Sequence, residues 1–594
     1  MKIKHYIIII AGILVAISSC KKVLDTIPQD SITDLNFWKT PADMKLFANG
    51  FYTTLPGPAA NSTYQVFYDS PSDNLLASTP DPLLFDAMAV PPSGGGWSYT
   101  DWSNIRNLNY ALSHYKTVVG DTADINQYIG EIRFFRANEY FNKVKTFGDV
   151  PWIDKNLNVT DNSILFAART PMKTVVDSII TDLQFAVSHL HIPAKVDLGR
   201  LHHYAALQML ARVCLYEGTY LKYRNISGWE PYLTLAVSAA QDIMTNGGYN
   251  IVKGTGPYSF QGYPLYYKQQ FIQEDLTSNP ECVLPRIYIL GIVTNRESGS
   301  GFGAGYGVTK DFIESFLCTD GLPISLSPLY LGDDSVWMEM AHRDPRLRNM
   351  IDNKFLPMFM NGADLVTYPV TPVTGSICPT GYLMAKFRDP IVKENDANAT
   401  TDDWFIFRYA EVLLTFAEAK AELGTITQGD LDNSINLLRA RLDEPGNFTM
   451  GRLTLNPPTD PNALINGQPR YGYVVSPLIY ELRRERRIEL AFEGFRWDDI
   501  VRWHAGKLIE NPKTMVGLVV DSGVIARYKY YNNGLDQFSG RPLLTITDWD
   551  GKTKKLLQPY TVASRTWDEK LYLYPLPLDQ LTLNTKLVQN PGWN

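Results

Sequence analysis

Residues 481–503, ELRRERRIELAFEGFRWDDIVRW, constrain this chain more than any other stretch. The segment begins as one of the most charged in the protein and ends as one of the most aromatic. Glu481, Glu485, Glu489 and Glu493 recur every fourth residue, which places them on one stripe of a helix. Arg484 and Arg486 stand three positions from Glu481 and Glu489, with Arg487 close by, so the spacing predicts pairing along the helix. Ile488, Phe492, Phe495 and Trp497 then supply apolar surface for packing. A basic run invites a nucleic-acid reading. Here four Arg between 481 and 489 face three Glu, an excess of one positive charge that gives a phosphate backbone little attraction. The segment therefore reads as an ion-paired structural helix packed by its aromatic end.

A chain of 594 residues has length for a large core or several modules. Its net charge of −7 argues against a nucleic-acid partner and against a polybasic membrane patch. Aromatics reach 12%, more than a core alone calls for, and a surplus of rings is material for a stacking surface. Cys20, Cys214, Cys282, Cys318 and Cys378 include no CxxC pair, so no zinc or redox motif is present.

The N-terminus reads as an address. Lys2 and Lys4 precede an 11-residue apolar run, 7–17, too short for a bilayer span of about 20 residues but suited to a secretory signal. Ile17-Ser18-Ser19-Cys20 resembles a bacterial lipobox, which implies cleavage after residue 19 and lipidation of Cys20. Residues 1–19 are then a lipoprotein signal, 20–40 a tether, and 41–594 a single domain held to a membrane by lipid alone.

Helical periodicity recurs over 41–52, 102–118, 129–147, 171–190, 201–220, 231–244, 404–423 and 431–442. Ala410, Ala417 and Ala421 allow close helix contacts. Paired helices of this length resemble tetratricopeptide hairpins without a regular period. The expected fold is mainly α: a scaffold of helix pairs over about 41–245 and 404–505. Long loop-rich inserts, about 246–403 and 508–570, carry the ligand face. Such inserts in a compact protein are usually functional.

No catalytic motif stands out. There is no H-E-x-x-H and no G-x-S-x-G, and no two carboxylates are marked as a glycosidase pair. His189 and His191 form only a bare pair. Asp69, Asp73 and Asp81 offer hard oxygen ligands for a structural calcium, without EF-hand spacing. The candidate ligand residues are aromatic. The turn at 91–96, PPSGGG, delivers Trp97 and Tyr99 ahead of a helix; Trp97 equally suits the core. Asn104 and Arg106 on that helix could donate hydrogen bonds. Tyr288, Phe302 and Tyr306 form a second aromatic group beside a glycine-rich loop.

Several stretches, in order along the chain, resemble the SusD/RagB family of outer-membrane nutrient-binding lipoproteins. They are Cys20 with Phe37-Trp38-Lys39-Thr40, then YFNKVKTFGDVPW at 140–152, then Asp320-Gly321-x-Pro323 with Arg343-Asp344-Pro345-Arg346-Leu347. FRYAEVLLTFAEAKA at 407–421 follows, then the E-R-R block from Glu485 to Trp503, then Tyr574-Pro575-Leu576-Pro577 and Gln589-Asn590-Pro591-Gly592-Trp593. The resemblance implies a non-enzymatic lipoprotein on the outer face of the outer membrane. It implies capture of oligosaccharide, delivered to a SusC-like TonB-dependent transporter. A peptide ligand and a surface glycoside hydrolase are the alternatives. Neutral sugars stack on aromatic rings, which suits an acidic, ring-rich protein.

Overall fold

The computed structural model describes residues 37–58, 69–253, 259–260, 263–264, 266–299, 305–354, 356, 358–361, 364–375, 377–390, 399–441, 450–562 and 564–593. The signal, the lipidation site Cys20 and Phe302 lie outside the described residues. No described helix is long and apolar enough to cross a membrane.

Thr40 opens α1 (Pro41–Asn49) as the spacing predicts: its side chain and that of Asp43 cap each other's backbone, with Pro41 in the first turn. The scaffold follows as α2 (Tyr99–His114), α3 (Thr122–Phe147), α4 (Met172–His189), α5 (His203–Lys222) and α6 (Glu230–Asn246). α3 packs on α4, α4 on α5 and α5 on α6, and α2 lies on α3. The seam is tight: Gly218 of α5 leaves no room for a Cβ against Leu233 of α6.

Strands β1 (Leu75–Ala77), β2 (Cys282–Arg286) and β3 (Tyr306–Val308) are short, and β1 pairs antiparallel with β3. After α7 (Lys310–Ser315) comes a difference from the sequence reading. Residues 404–408 are not helical but form β4 (Trp404–Arg408), paired antiparallel with β2. Trp-Phe-Ile-Phe-Arg is aromatic and β-branched, and a buried strand partner outweighs the helical pattern that runs on behind it. The helix α8 (Tyr409–Glu422) starts only there and packs on α6. The remaining labelled elements are α9 (Ile435–Ala440), α10 (Pro477–Glu489), α11 (Arg496–Arg502) and α12 (Ser522–Tyr531), then the hairpin β5 (Leu543–Thr547) with β6 (Thr553–Leu557). The insert over 508–570 thus holds a helix and a hairpin among its loops.

Two cores result. The larger joins α1 to α6, α8 and α9 with the C-terminal Leu571, Leu576 and Trp593. The smaller fills the inserts around Tyr267, Phe312, Phe316, Met350 and Phe387. Helix α10 belongs to both, through Leu482 in the first and Ile488 in the second.

That helix departs from the expected pairing. Every residue from Tyr480 to Glu489 is buried, charges included. Among the described residues only Glu481 and Arg484 pair within the helix, at 3.1 Å. The other partners come from across the fold. Glu489 meets Arg346 and Arg408 at 2.8 Å and Arg441 at 2.7 Å. Glu485 meets Arg346 at 2.6 Å and Arg439 at 3.0 Å. Arg486 holds Asp499 at 2.9 Å, and Arg487 holds Asp311 at 2.8 Å and Asp73 at 3.1 Å. Arg483 has its guanidinium carbon 4.5 Å from the ring centres of both Tyr223 and Trp503. The helix then breaks. Phe492 sits at φ 65°, a costly conformation for an aromatic residue. Buried Asp69 holds the turn by accepting the N–H groups of Phe492 at 2.7 Å and Gly494 at 3.1 Å.

Removing one partner of a buried pair strands the other charge, at a cost of about 3–5 kcal/mol. Arg487→Met is therefore expected to lower unfolding free energy by about that amount in urea melts; an unchanged midpoint would show that Asp73 and Asp311 do not need it. Glu217 of α5 has the opposite problem. It is buried with no hydrogen-bond partner for either carboxyl oxygen, and burial, with Asp177 nearby, pushes its pKa up to about 8. The folded state then holds this proton more tightly than the unfolded state, where the value is 4.5. The stability it contributes is full below 4.5 and drains as pH rises toward 8. Glu217→Gln should raise stability at pH 8 by about 1–3 kcal/mol and change little near pH 4.5, as thermal melts at both values will report.

Candidate functional site

Gly94, Gly95 and Gly96 all take left-handed φ values, 75°, 57° and 84°, and so fold the chain into a turn that other residues enter only under strain. The turn delivers Trp97, and Ser98 and Asp101 cap each other's backbone to open α2. Lys143 of α3 fixes the turn by donating to the Gly96 carbonyl at 2.6 Å.

Beside this helix start lies a cleft of ≈480 Å³. It is lined by Trp97, Tyr99, Trp102 and Arg106 from the start of α2 and by Pro151, Ile153 and Val159 from the segment after α3. Leu165 and Leu583 also line it. The segment after α3 is anchored: Asn109 donates to the Ile153 carbonyl at 2.7 Å, and Tyr140 accepts the Ile153 N–H at 2.7 Å. Arg136 steadies Asn109 at 2.8 Å while pairing with Asp182 at 2.7 Å. Tyr99 is 73% exposed and Val159 87%, so large apolar groups face water at the rim. A grouped patch of this kind marks a ligand or partner surface. Polar groups at the rim are Arg106, Lys155, Asn158 and Gln580, and no Asp or Glu among the described residues lines the cleft.

The expected residues fall into three sets. Trp97, Tyr99 and Arg106 come together at the cleft, with Arg106 Nη1 donating to the Tyr99 hydroxyl at 3.4 Å. Trp97 forms the floor and not a platform. It is 6% exposed and wedged edge-on against Phe147 at 4.9 Å and Trp102 at 5.2 Å. Asn104 turns away to donate to Glu139 at 3.2 Å. Tyr306 lies in β3 opposite Ala77 and is not among the cleft's lining residues. Tyr288 is a correction: it is a core residue, 3% exposed, with its hydroxyl donating to the Pro58 carbonyl, because the segment just after β2 packs it into the smaller core. Residues missed by sequence reasoning are Trp102, Val159, Leu165 and Leu583. Trp102 could have been found, since it lies on the same helix as Arg106. The others come from distant segments that nothing in the sequence ties to α2.

The acids considered for calcium have other partners. Asp69 caps the Phe492 turn, Asp73 pairs with Arg496 at 2.7 Å, and Asp81 accepts the Leu83 N–H at 2.9 Å. Glu314, Asp333 and Asp548 do converge within reach of one ion. Lys310, Lys513 and Lys554 already bridge these acids, at 2.5–3.0 Å for the closest contacts, so ammonium groups supply the positive charge there.

Trp97 and Tyr99 differ in what they support. Trp97→Ala is expected to cost about 3–5 kcal/mol of stability by emptying the cleft floor, whereas Tyr99→Ala should stay within about 0.5 kcal/mol. Chemical denaturation of both variants checks the contrast, and equal losses would mean that Tyr99 is part of the packing.

Comparison with known proteins agrees with this architecture. A model described as "SusD family" matches residues 274–593, and one described as "Starch-binding associating with outer membrane" matches residues 97–215. SusD-like protein P38 of Formosa agariphila is 25% identical over 545 residues, covering 88% of this chain and 94% of the relative. The crystal structure of a SusD-like protein from Bacteroides fragilis aligns with a TM-score of 0.69 at 24% identity, over 95% of this chain and all of that one. A SusD-like carbohydrate binding protein from the same organism aligns with a TM-score of 0.68 at 21% identity, over 93% of this chain and all of that one. With more than half its length matched by the family model and its mainly helical fold shared with these structures, the chain belongs to the SusD family, a family of non-catalytic binding proteins.

Proposed function

We propose that this protein captures oligosaccharide at the outer membrane and delivers it to a SusC-like TonB-dependent transporter. Cys20 carries the lipid that tethers it, with the domain facing the cell exterior. The observation that carries the reading is the cleft at the start of α2, where aromatic rings and small polar groups converge without a carboxylate. A pyranose ring has apolar C–H faces and a belt of hydroxyls. Tyr99 and Trp102 offer ring surface to such faces, while Arg106, Lys155, Asn158 and Gln580 are placed to bond the hydroxyls. Glycosidase chemistry needs a carboxylic acid beside the scissile bond, and this lining has none. The fold match to a carbohydrate binding relative and the starch-binding description of the N-terminal model support the same ligand class. The membership in the SusD family supports the transporter as partner. A hydrophobic peptide is the second reading, favoured by Val159, Leu165 and Leu583 at the rim.

A glycan panel titrated against wild type, Tyr99→Ala and Trp102→Ala separates these readings. At least one oligosaccharide should bind wild type and lose about tenfold in affinity, or ~1.4 kcal/mol, in each folded variant. Undiminished glycan binding by both variants would remove the site. Binding of apolar peptides alone would replace the ligand, and release of new reducing ends would make the protein a hydrolase. Copurification of a β-barrel transporter with the detergent-solubilised protein tests the partner.

A further inference from the structure

Just beyond β2, four aliphatic side chains within five residues stand in water. Ile289, Leu290, Ile292 and Val293 are 49%, 76%, 79% and 41% exposed, with Gly291 between them at φ 82°. Single exposed aliphatics are ordinary, but a contiguous cluster marks a surface that something covers.

The cluster is the tip of a tight turn with fixed stems. The Ile289 N–H donates to the Val293 carbonyl at 2.8 Å, and the Ile292 and Val293 N–H groups both donate to the Ile289 carbonyl at 3.0 Å. These three N–H groups are bonded within the turn, which lowers the cost of taking it out of water. Below the tip, the Tyr288 N–H donates to buried Asp403 at 2.9 Å. Asn295 exchanges both backbone hydrogen bonds with Thr400 at 2.9 Å.

The tip also has a definite place on the domain. Gly199 lies so close to its stem that a Cβ there would stand 3.1 Å from the Ile287 side chain. On either side of Gly199, Asp197 pairs with Lys45 at 2.6 Å and Arg200 donates to Asn49 at 2.8 Å. Both partners belong to α1, the first helix after the tether. Leu46 and Leu198, 58% and 65% exposed, stand beside these pairs and add to the apolar surface.

We propose that the 289–293 tip inserts into the lipid leaflet that holds Cys20, as a second, non-covalent membrane contact; this rests on the reading of Cys20 as lipidated. The tip's chemistry favours lipid over a protein partner. Protein interfaces centre on Tyr, Trp and Arg with matched hydrogen bonds. This tip offers aliphatic carbon alone, which acyl chains cover without a matching shape. A projecting turn of five residues suits the boundary between headgroups and acyl chains, about 5–10 Å deep. A tether by itself sets how far the domain lies from the membrane. A second contact on the α1 side also sets how it is turned.

Depth-dependent fluorescence quenching tests the proposal. The full chain is purified in detergent and reconstituted into phosphatidylcholine vesicles. An NBD label is attached through Leu290→Cys, Leu198→Cys or Val474→Cys, one at a time. The described native cysteines are buried or half-buried, and the unsubstituted protein gives the labelling background. Val474 is the control. It is 84% exposed and follows Tyr473, which stacks on Tyr223 at the other end of α5, about 30 Å from the Arg200 end. Doxyl groups on the acyl chains should quench the label at position 290 and spare the one at position 474. Headgroup nitroxides should quench the label at position 198. Leu290→Gln with Ile292→Gln should lower that quenching about twofold with an unchanged melting temperature. An unquenched label at position 290, on protein whose N-terminal peptide carries lipid by mass spectrometry, overturns the proposal. Equal quenching at positions 290 and 474 also overturns it. Shielding at position 290 that appears only when a β-barrel transporter is added replaces the lipid with a protein partner. A mature N-terminus without lipid overturns the tether reading, and the proposal with it.

Discussion

Much of this fold depends on burying α10 with its charges. A helix carrying four arginines and three glutamates in nine residues would ordinarily face water. Here its charges are taken out of water, and each desolvated group must find an opposite charge or a ring. That requirement dictates what surrounds it. The loop at 69–74, α7, β4, α9 and α11 are brought to the helix by the pairs they form with it or with the turn that follows. Such pairs add less net stability than apolar packing would, but they admit few arrangements. They weld the insert core to the scaffold core along one helix.

The scaffold in turn makes the aromatic cleft rigid. One part of its lining is the first turn of α2, capped and buttressed by Lys143. Another, the segment after α3, hangs from Asn109 and Tyr140, whose helices are packed into the large core. On the proposed reading, a ligand face built this way needs little reordering on binding, which limits the entropy cost of a stacking-based interaction. The C-terminal segment closes the arrangement by placing Leu583 in the cleft's lining while Trp593 packs into the same core as α3.

Helix existence was readable from periodicity almost throughout, and the start at Thr40-Pro41 was readable to the residue because capping chemistry is local. The strand at 404–408 was not, because its partner lies more than a hundred residues earlier. Sequence also placed Trp97 and Tyr99 at a glycine turn but left open which would face solvent. That depended on Phe147, fifty residues on, offering an edge for the indole. Tyr288 looked equally available and is buried. Composition counts rings without regard to which of them the packing encloses.

For the charged helix the division is sharpest. Its sequence determined that a helix would form, that its charges would nearly balance and that no polyanion would bind it on net charge. The spacing suggested pairing along one helix face, since neighbours three and four residues apart are all that a sequence displays. Tertiary structure decided otherwise: once the helix is enclosed by two cores, acids and bases from distant segments offer shorter and drier contacts than its own neighbours do. The same enclosure gave each arginine of the helix an acid partner from a distant segment, because long-range packing sets where charge accumulates.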